Sequence, residues 1–182
     1  MSEAQKRISP LLYVGVLLFA GALFVGALLA YGLGVRFTLT PSIPRGLYLY
    51  TDDSLAVGRL ATFCPPEEVT AYALARGYLH RGGCPGDVEP LGKYVLATAG
   101  DTVSITAEGL AVNGRAVPGS AVYHRDRVGR ELPHVPFGRH VVGADSLFMF
   151  SGHHPRSFDS RYFGPIPASS VISTMRPLWT VE

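Results

Sequence analysis

At 182 residues and 19.5 kDa the chain has room for one well-packed domain but not for two of ordinary size. Hydrophobic residues make up 47% and charged residues 16%, which excludes a disordered or acidic-tail protein and indicates that part of the chain avoids water. A net charge of +2 argues against nucleic acid as a partner, because neutralising a phosphate backbone needs a concentrated basic face.

The first element is apolar throughout. Residues 8–35 form a run of 28 without Asp, Glu, Lys, Arg or His. About 20 helical residues span a bilayer core, whereas the apolar region of a cleaved signal peptide is about 7–15 residues. Ala20-Gly21-Ala22 resembles a cleavage site, yet 13 uncharged residues follow it before Arg36, so a retained transmembrane anchor is expected over cleavage. Lys6 and Arg7 precede the span and assign the short N-terminal end to the cytoplasm, with Arg36 as an opposing charge on the far side. Residues 1–35 are thus expected to be a cytoplasmic stub and anchor. Residues 36–182 are expected to be one extracytoplasmic domain, periplasmic if the cell is Gram-negative.

Past the anchor, Thr40-Pro41-Ser42-Ile43-Pro44-Arg45-Gly46 sets a serine between two prolines, where the backbone has little freedom. Ser-x-Pro is a turn as readily as a nucleophile segment. Only six residues separate Val35 from Ser42. Even an extended link of that length spans about 20 Å, which keeps Ser42 near the outer membrane face. Short segments of β character follow at 46–50, 59–63, 94–97, 102–106, 109–112, 116–117, 141–142 and 147–150. Asn113-Gly114 is the clearest hairpin signal, since both residues tolerate positive φ. One helix is expected from Pro66-Glu67-Glu68 to about residue 79, with acidic residues in its first turn and Val69, Tyr72, Ala73 and Leu74 near helical spacing. Cys64 and Cys84 bracket that helix. In an oxidising compartment they would pair and contribute roughly 3 kcal/mol in the chain-entropy account; the alternative is two buried free thiols. The fold expected is mainly β and antiparallel, with one small helical insert, on a single N-terminal transmembrane helix.

Two lysines stand against fourteen arginines, and Lys93 is the single lysine past the anchor. A buried lysine can lose its proton, which a guanidinium effectively cannot. A catalytic base and an accident of an Arg-rich composition both account for it at this point. Toward the C-terminus lies Ser157-Phe158-Asp159-Ser160-Arg161-Tyr162-Phe163-Gly164-Pro165. Alone, this reads as a turn or surface ion pair between Asp159 and Arg161 with aromatics filling a core.

Together these segments resemble the signal peptidase I superfamily of Ser/Lys membrane peptidases. Ser42 follows the anchor, Lys93 begins Lys-x-Val-x-Ala-x-x-Gly-Asp ending at Gly100 and Asp101, and Ser157-x-Asp159-Ser160-Arg161-Tyr162-Phe163-Gly164 matches the C-terminal box. Within it the chain looks most like the conjugative-transfer peptidases called TraF, through Ser-Ile-Pro-Arg-Gly-Leu-Tyr and the Cys-Pro … Gly-Cys-Pro-Gly insert. The chain departs from housekeeping members at His153-His154, where Gly-Asp-Asn is usual, at Tyr94, which replaces an Arg, and at Ala99, which replaces a Pro.

The resemblance implies a signal-peptidase-like β domain with Ser42 as nucleophile and Lys93 as general base. Ser157 would orient the amine and Asp159 with Arg161 would brace the loops, with Asp159 closer to catalysis in the TraF subgroup. The Thr40 hydroxyl would form the oxyanion hole with the Ser42 backbone N–H. At an unperturbed pKa only about one lysine in a few thousand is neutral at pH 7, so burial must depress it. The implied substrate is an exported precursor, a pilin subunit of conjugative transfer machinery, whose new ends an amine attacking the acyl-enzyme would join. A general secretory signal peptidase and a non-catalytic anchored β scaffold of an envelope complex are the competing readings. A Ser/Lys self-cleaving repressor is disfavoured by the N-terminal span. The six histidines show no ligand spacing, so neither a metal nor a cofactor is expected.

Overall fold

The computed structural model describes residues 10–181; Lys6 and Arg7, which carry the topology expectation, lie outside the described residues. Helix α1 (Pro10–Gly32) has a mean hydropathy of 2.4 and buries none of its residues against protein. A helix apolar on every side is what lipid solvates, and its 23 residues suffice to cross a bilayer core. Arg36 folds back onto its end. Its Nη1 donates to the Tyr31 carbonyl at 2.6 Å and its guanidinium lies 3.7 Å over the Tyr31 ring. A cation therefore meets the negative end of the helix dipole, at a carbonyl that also accepts from the Gly34 backbone N–H at 3.1 Å.

The strands that follow are β1 (Val35–Thr38), β2 (Arg45–Thr51), β3 (Leu60–Phe63), β4 (Arg81–Cys84), β5 (Leu91–Thr98), β6 (Thr102–Ile105), β7 (Leu110–Val112), β8 (Arg115–Val117), β9 (Gly138–Val141), β10 (Ser146–Phe150), β11 (Ile166–Pro167) and β12 (Val171–Val181). Helix α2 (Glu67–Ala75) lies between β3 and β4, and α3 (Ser160–Phe163) between β10 and β11. A seven-stranded sheet runs β1-β2-β12-β3-β5-β10-β11 and a four-stranded sheet β8-β7-β6-β9, with antiparallel pairing throughout. The expected mainly β, antiparallel architecture is present.

Asp101 makes the turn from the larger sheet into the smaller. Its carboxylate accepts from the Thr98 backbone N–H at 2.9 Å and from Asn113 Nδ2 at 2.7 Å. The Gly-Asp pair after Lys93 thus ties β5 to the Asn113-Gly114 hairpin, where both residues hold positive φ as the sequence predicts.

Some elements depart from the sequence expectation. Strand β12 is the longest, at 11 residues, and was not anticipated. Its outward side chains Leu178 and Trp179 are apolar, which hides the alternation, and Pro177 reads as a breaker. In the sheet, Pro177 sits where the register with β2 shifts, and a bulge removes the need for its missing N–H. Helix α2 stops at Ala75, short of residue 79, because the backbone N–H groups of Tyr78 and Leu79 both turn back to the Ala73 carbonyl. The disulfide Cys64–Cys84 joins the flanks of this excursion at 2.03 Å.

The two faces of the large sheet bury different clusters. Ala61, Phe63, Leu91, Val95 and Met149 pack with Ala73 of α2 and with Leu79 and Val88. Leu60, one residue from Ala61 and so on the other face, packs with Ile43, Tyr48 and Met175. Fully burying an aliphatic or aromatic side chain of this size contributes about 1.5–3 kcal/mol.

Candidate active site

Residues 39–44 join β1 to β2 and carry Ser42. Contacts within and beside this loop hold it. Ile43 is fully buried, and a Cβ at Gly92 would lie 3.3 Å from its Cδ1, so a larger residue beside Lys93 would make the Ile43 side chain give by a few tenths of an ångström. The Tyr48 hydroxyl donates to the Pro44 carbonyl at 2.6 Å. At Gly46, where φ is +152°, a Cβ would stand 2.0 Å from the Trp179 carbonyl oxygen, so only glycine lets β2 lie this close to β12. Part of Ser-Ile-Pro-Arg-Gly is thus there to pin the serine.

Ser42 Oγ lies 3.2 Å from Ser157 Oγ, and the Ser151 hydroxyl donates to the Ser42 carbonyl. Ser42 itself remains half-buried, open to a cleft of about 740 Å³ that Thr40, Lys93 and Ser157 also line. Thr40 is exposed at its edge.

Lys93 sits in β5, where buried and half-buried residues alternate strictly, and it shares the core-facing side with Leu91 and Val95. It pairs with Ala61 of β3 and is only 2% exposed. Burial pushes its ammonium down to about 8 from an ordinary value of 10.5; Asp159 opposes the change and Arg161 reinforces it. Among the described residues no hydrogen bond joins Lys93 to Ser42. The partner of Ser42 Oγ is the Ser157 hydroxyl.

Asp159 and Arg161 are both wholly inaccessible, so the turn or surface pair that the sequence alone allowed is a buried one. All five guanidinium N–H directions are used. Nε and Nη2 donate to the Asp159 carboxylate at 2.8 and 2.9 Å, Nη1 to the carbonyls of Ala121 and Pro155 at 2.7 and 3.1 Å, and Nη2 again to the Ser157 carbonyl at 3.1 Å. Asp159 also caps α3 and accepts from the Ser151 backbone N–H at 3.3 Å. The ion pair therefore anchors Ser151 and Ser157, the two residues that touch Ser42. Ser151 was missed by sequence reasoning, because a serine after the apolar strand β10 looks like any strand end.

Beside the Ser42 loop the outer strands carry uncovered apolar side chains. Phe37 pairs with Leu47 across β1 and β2, and Leu47 with Trp179 across β12, all three exposed. β1, which carries Phe37, follows directly on α1, and Phe37 also lines the cleft.

Residues 10–179 match the family described as signal peptidase, peptidase S26. The chain is 40% identical over 181 residues to a plasmid transfer protein TraF from Escherichia coli, covering 99% of each chain. It is 43% identical over 168 residues to a conjugal transfer protein TraF from Agrobacterium tumefaciens, covering 90% of this chain and 93% of that one. A solved signal peptidase I from Enterococcus faecalis aligns with 69% of this chain and all of its own, at 17% identity and a TM-score of 0.41.

Proposed function

This chain belongs to the signal peptidase family, peptidase S26, and from that premise we propose that it is a membrane-anchored serine endopeptidase of conjugative transfer. Its α1 anchors it in the inner membrane, with residues 1–35 as stub and anchor and residues 36–182 as the periplasmic catalytic domain. The Cys64–Cys84 bond fits that oxidising side. The substrate is an exported precursor, a conjugative pilin subunit.

Ser42 Oγ attacks the scissile carbonyl while the neutral Lys93 amine takes its proton. The Ser42 N–H and the Thr40 hydroxyl hold the oxyanion, an interaction that typically contributes a few kcal/mol to the transition state. Lys93 then returns the proton to the departing amine, leaving an acyl-enzyme on Ser42. Water resolves it to a linear product; the precursor's own amine resolves it to a ring. Ser157, against Ser42 Oγ, keeps the hydroxyl turned into the cleft, and the Asp159–Arg161 pair fixes Ser151 and Ser157. Hydrogen bonds between base and nucleophile are often long before substrate arrives, so the absence of a direct Lys93–Ser42 bond is compatible with this chemistry.

The observation that carries the proposal is a lysine 2% exposed, depressed to about 8, lining the cleft onto which Ser42 opens. Ser42→Ala and Lys93→Arg, assayed for precursor processing, are both expected to abolish cleavage while the protein stays folded and membrane-bound. Normal processing by Lys93→Arg would eliminate the base role, since guanidinium keeps the charge and cannot release its proton. The mass of the mature product separates a linear chain from a cyclic one by one water.

A further inference from the structure

The cleft carries more positive charge than its own acids neutralise. Its two carboxylates are Glu89, held by His80 at 2.9 Å, and Asp126, held by Arg130 at 2.6 Å. Arg127 and Arg156 also line it, and among the described residues neither has a carboxylate partner. Between them stands His154, in the segment where the chain departs from housekeeping relatives. Arg127 Nη2 lies 2.9 Å from His154 Nε2, and the Arg156 backbone N–H points at Nδ1 from 3.1 Å.

Both ring nitrogens thus face donors, although a neutral imidazole accepts at only one of them. The Arg156 guanidinium donates to the Arg125 carbonyl at 3.1 Å and lies 4.2 Å over the Tyr123 ring, so two guanidinium groups flank a half-buried imidazole and, among the described residues, neither is paired with a carboxylate. Desolvation first, and then the charges of Arg127, His153, Lys93 and Arg156, keep His154 less basic than usual. The cluster also adjoins the reacting centre. The Ser157 backbone N–H donates to the His154 carbonyl at 3.0 Å, closing the turn that carries Arg156, and Ser157 Oγ is the group against Ser42 Oγ.

We propose that Arg127, His154 and Arg156 form a substrate subsite that takes a carboxylate of the precursor beside the scissile bond. A carboxylate there receives charge-assisted bonds from one or both guanidinium groups and relieves the repulsion around His154. The carboxylate comes either from an Asp or Glu side chain near the cleavage point or from the free C-terminus of a short segment being removed. This assignment rests on the endopeptidase reading above.

The test uses the full-length chain in detergent micelles as Ser42→Ala, so that binding is read without turnover. Three fluorescent peptides spanning the precursor cleavage site serve as probes: one with a Glu beside the scissile bond and an amidated end, one with Gln there and a free C-terminal carboxylate, and one with Gln and an amide. One acidic form is expected to bind about tenfold more tightly than the neutral peptide, and which one identifies the source of the carboxylate. Raising the salt narrows that ratio. Arg127→Gln combined with Arg156→Gln brings it to about one, and Arg127→Lys with Arg156→Lys retains most of it. Equal binding of the three peptides, or a preference that survives the double glutamine variant, would overturn the subsite. Incubating the same peptides with the unsubstituted enzyme keeps the two claims apart: cleavage without any acid preference defeats the subsite alone, whereas no cleavage of any peptide defeats the peptidase reading on which it rests.

Discussion

Lys93 ties both activity and stability to pH, and both should rise with pH in adjoining windows. With its pKa near 8, about a tenth of the molecules carry a neutral amine at pH 7, against about one in three thousand at the ordinary value. The rate of cleavage under kcat/KM conditions should therefore climb about 50-fold from pH 6 to pH 8 and level off above it. The folded-state value lies below the unfolded one, so between about 8 and 10.5 the unfolded chain binds the extra proton. Stability consequently rises with pH through that window, and below it the full penalty of burying the ammonium persists, about 3 kcal/mol. Lys93→Met fills a similar volume without a charge. It should abolish cleavage yet stabilise the protein at pH 7 by up to about 3 kcal/mol, a gain that shrinks toward pH 10.5. The assay is denaturant unfolding of the full chain in detergent, run beside the pH–rate profile. A flat profile between pH 6 and 9, or a Lys93→Met protein less stable than the parent at pH 7, would refute the reasoning.

Other substitutions probe the scaffold around the serine. Ser157→Ala removes the hydroxyl against Ser42 and should lower kcat about tenfold with little effect on the melting temperature, consistent with one hydrogen bond. Arg161→Lys cannot reproduce five directed N–H bonds; it should destabilise the domain by about 3–5 kcal/mol, measured by unfolding, and cut activity with it. Gly46→Ala forces a Cβ into the Trp179 carbonyl and should part β2 from β12, seen as increased amide exchange along both strands and lost processing. Reducing Cys64–Cys84, whose loop spans 20 positions, should cost about 3 kcal/mol in unfolding free energy while leaving activity measurable at low temperature.

How far the sequence shows these features depends on whether their cause is local. The apolar run that became α1, the Asn113-Gly114 turn and the acidic start of α2 each follow from neighbouring residues, and each lies where it was read. Lys93 is an intermediate case. Its burial follows from a strand period shared with Leu91 and Val95, but the depressed pKa needs the desolvation that only the assembled core gives, reinforced by Arg161 of α3. The Asp159–Arg161 pair was hidden, since an Asp two residues from an Arg looks like any surface turn. What buries it are acceptors at Ala121, Pro155 and Ser157, which no pattern links. The contact of Ser42 with Ser157 spans 115 positions and arises only when the loop after β10 folds under the β1–β2 hairpin. Strand β12 was illegible for another reason: exposed Leu178 and Trp179 break its alternation, and Pro177 reads as a breaker until the bulge opposite β2 accommodates it.

The central claim is a covalent one, so it is tested most directly by catching the covalent species. Full-length enzyme mixed with its precursor and quenched in acid during turnover should yield, by peptide mass spectrometry, the acyl half of the precursor esterified to Ser42. The adduct should be absent from Lys93→Arg. Mature product forming with no adduct on Ser42, or with one on another residue, would contradict the account.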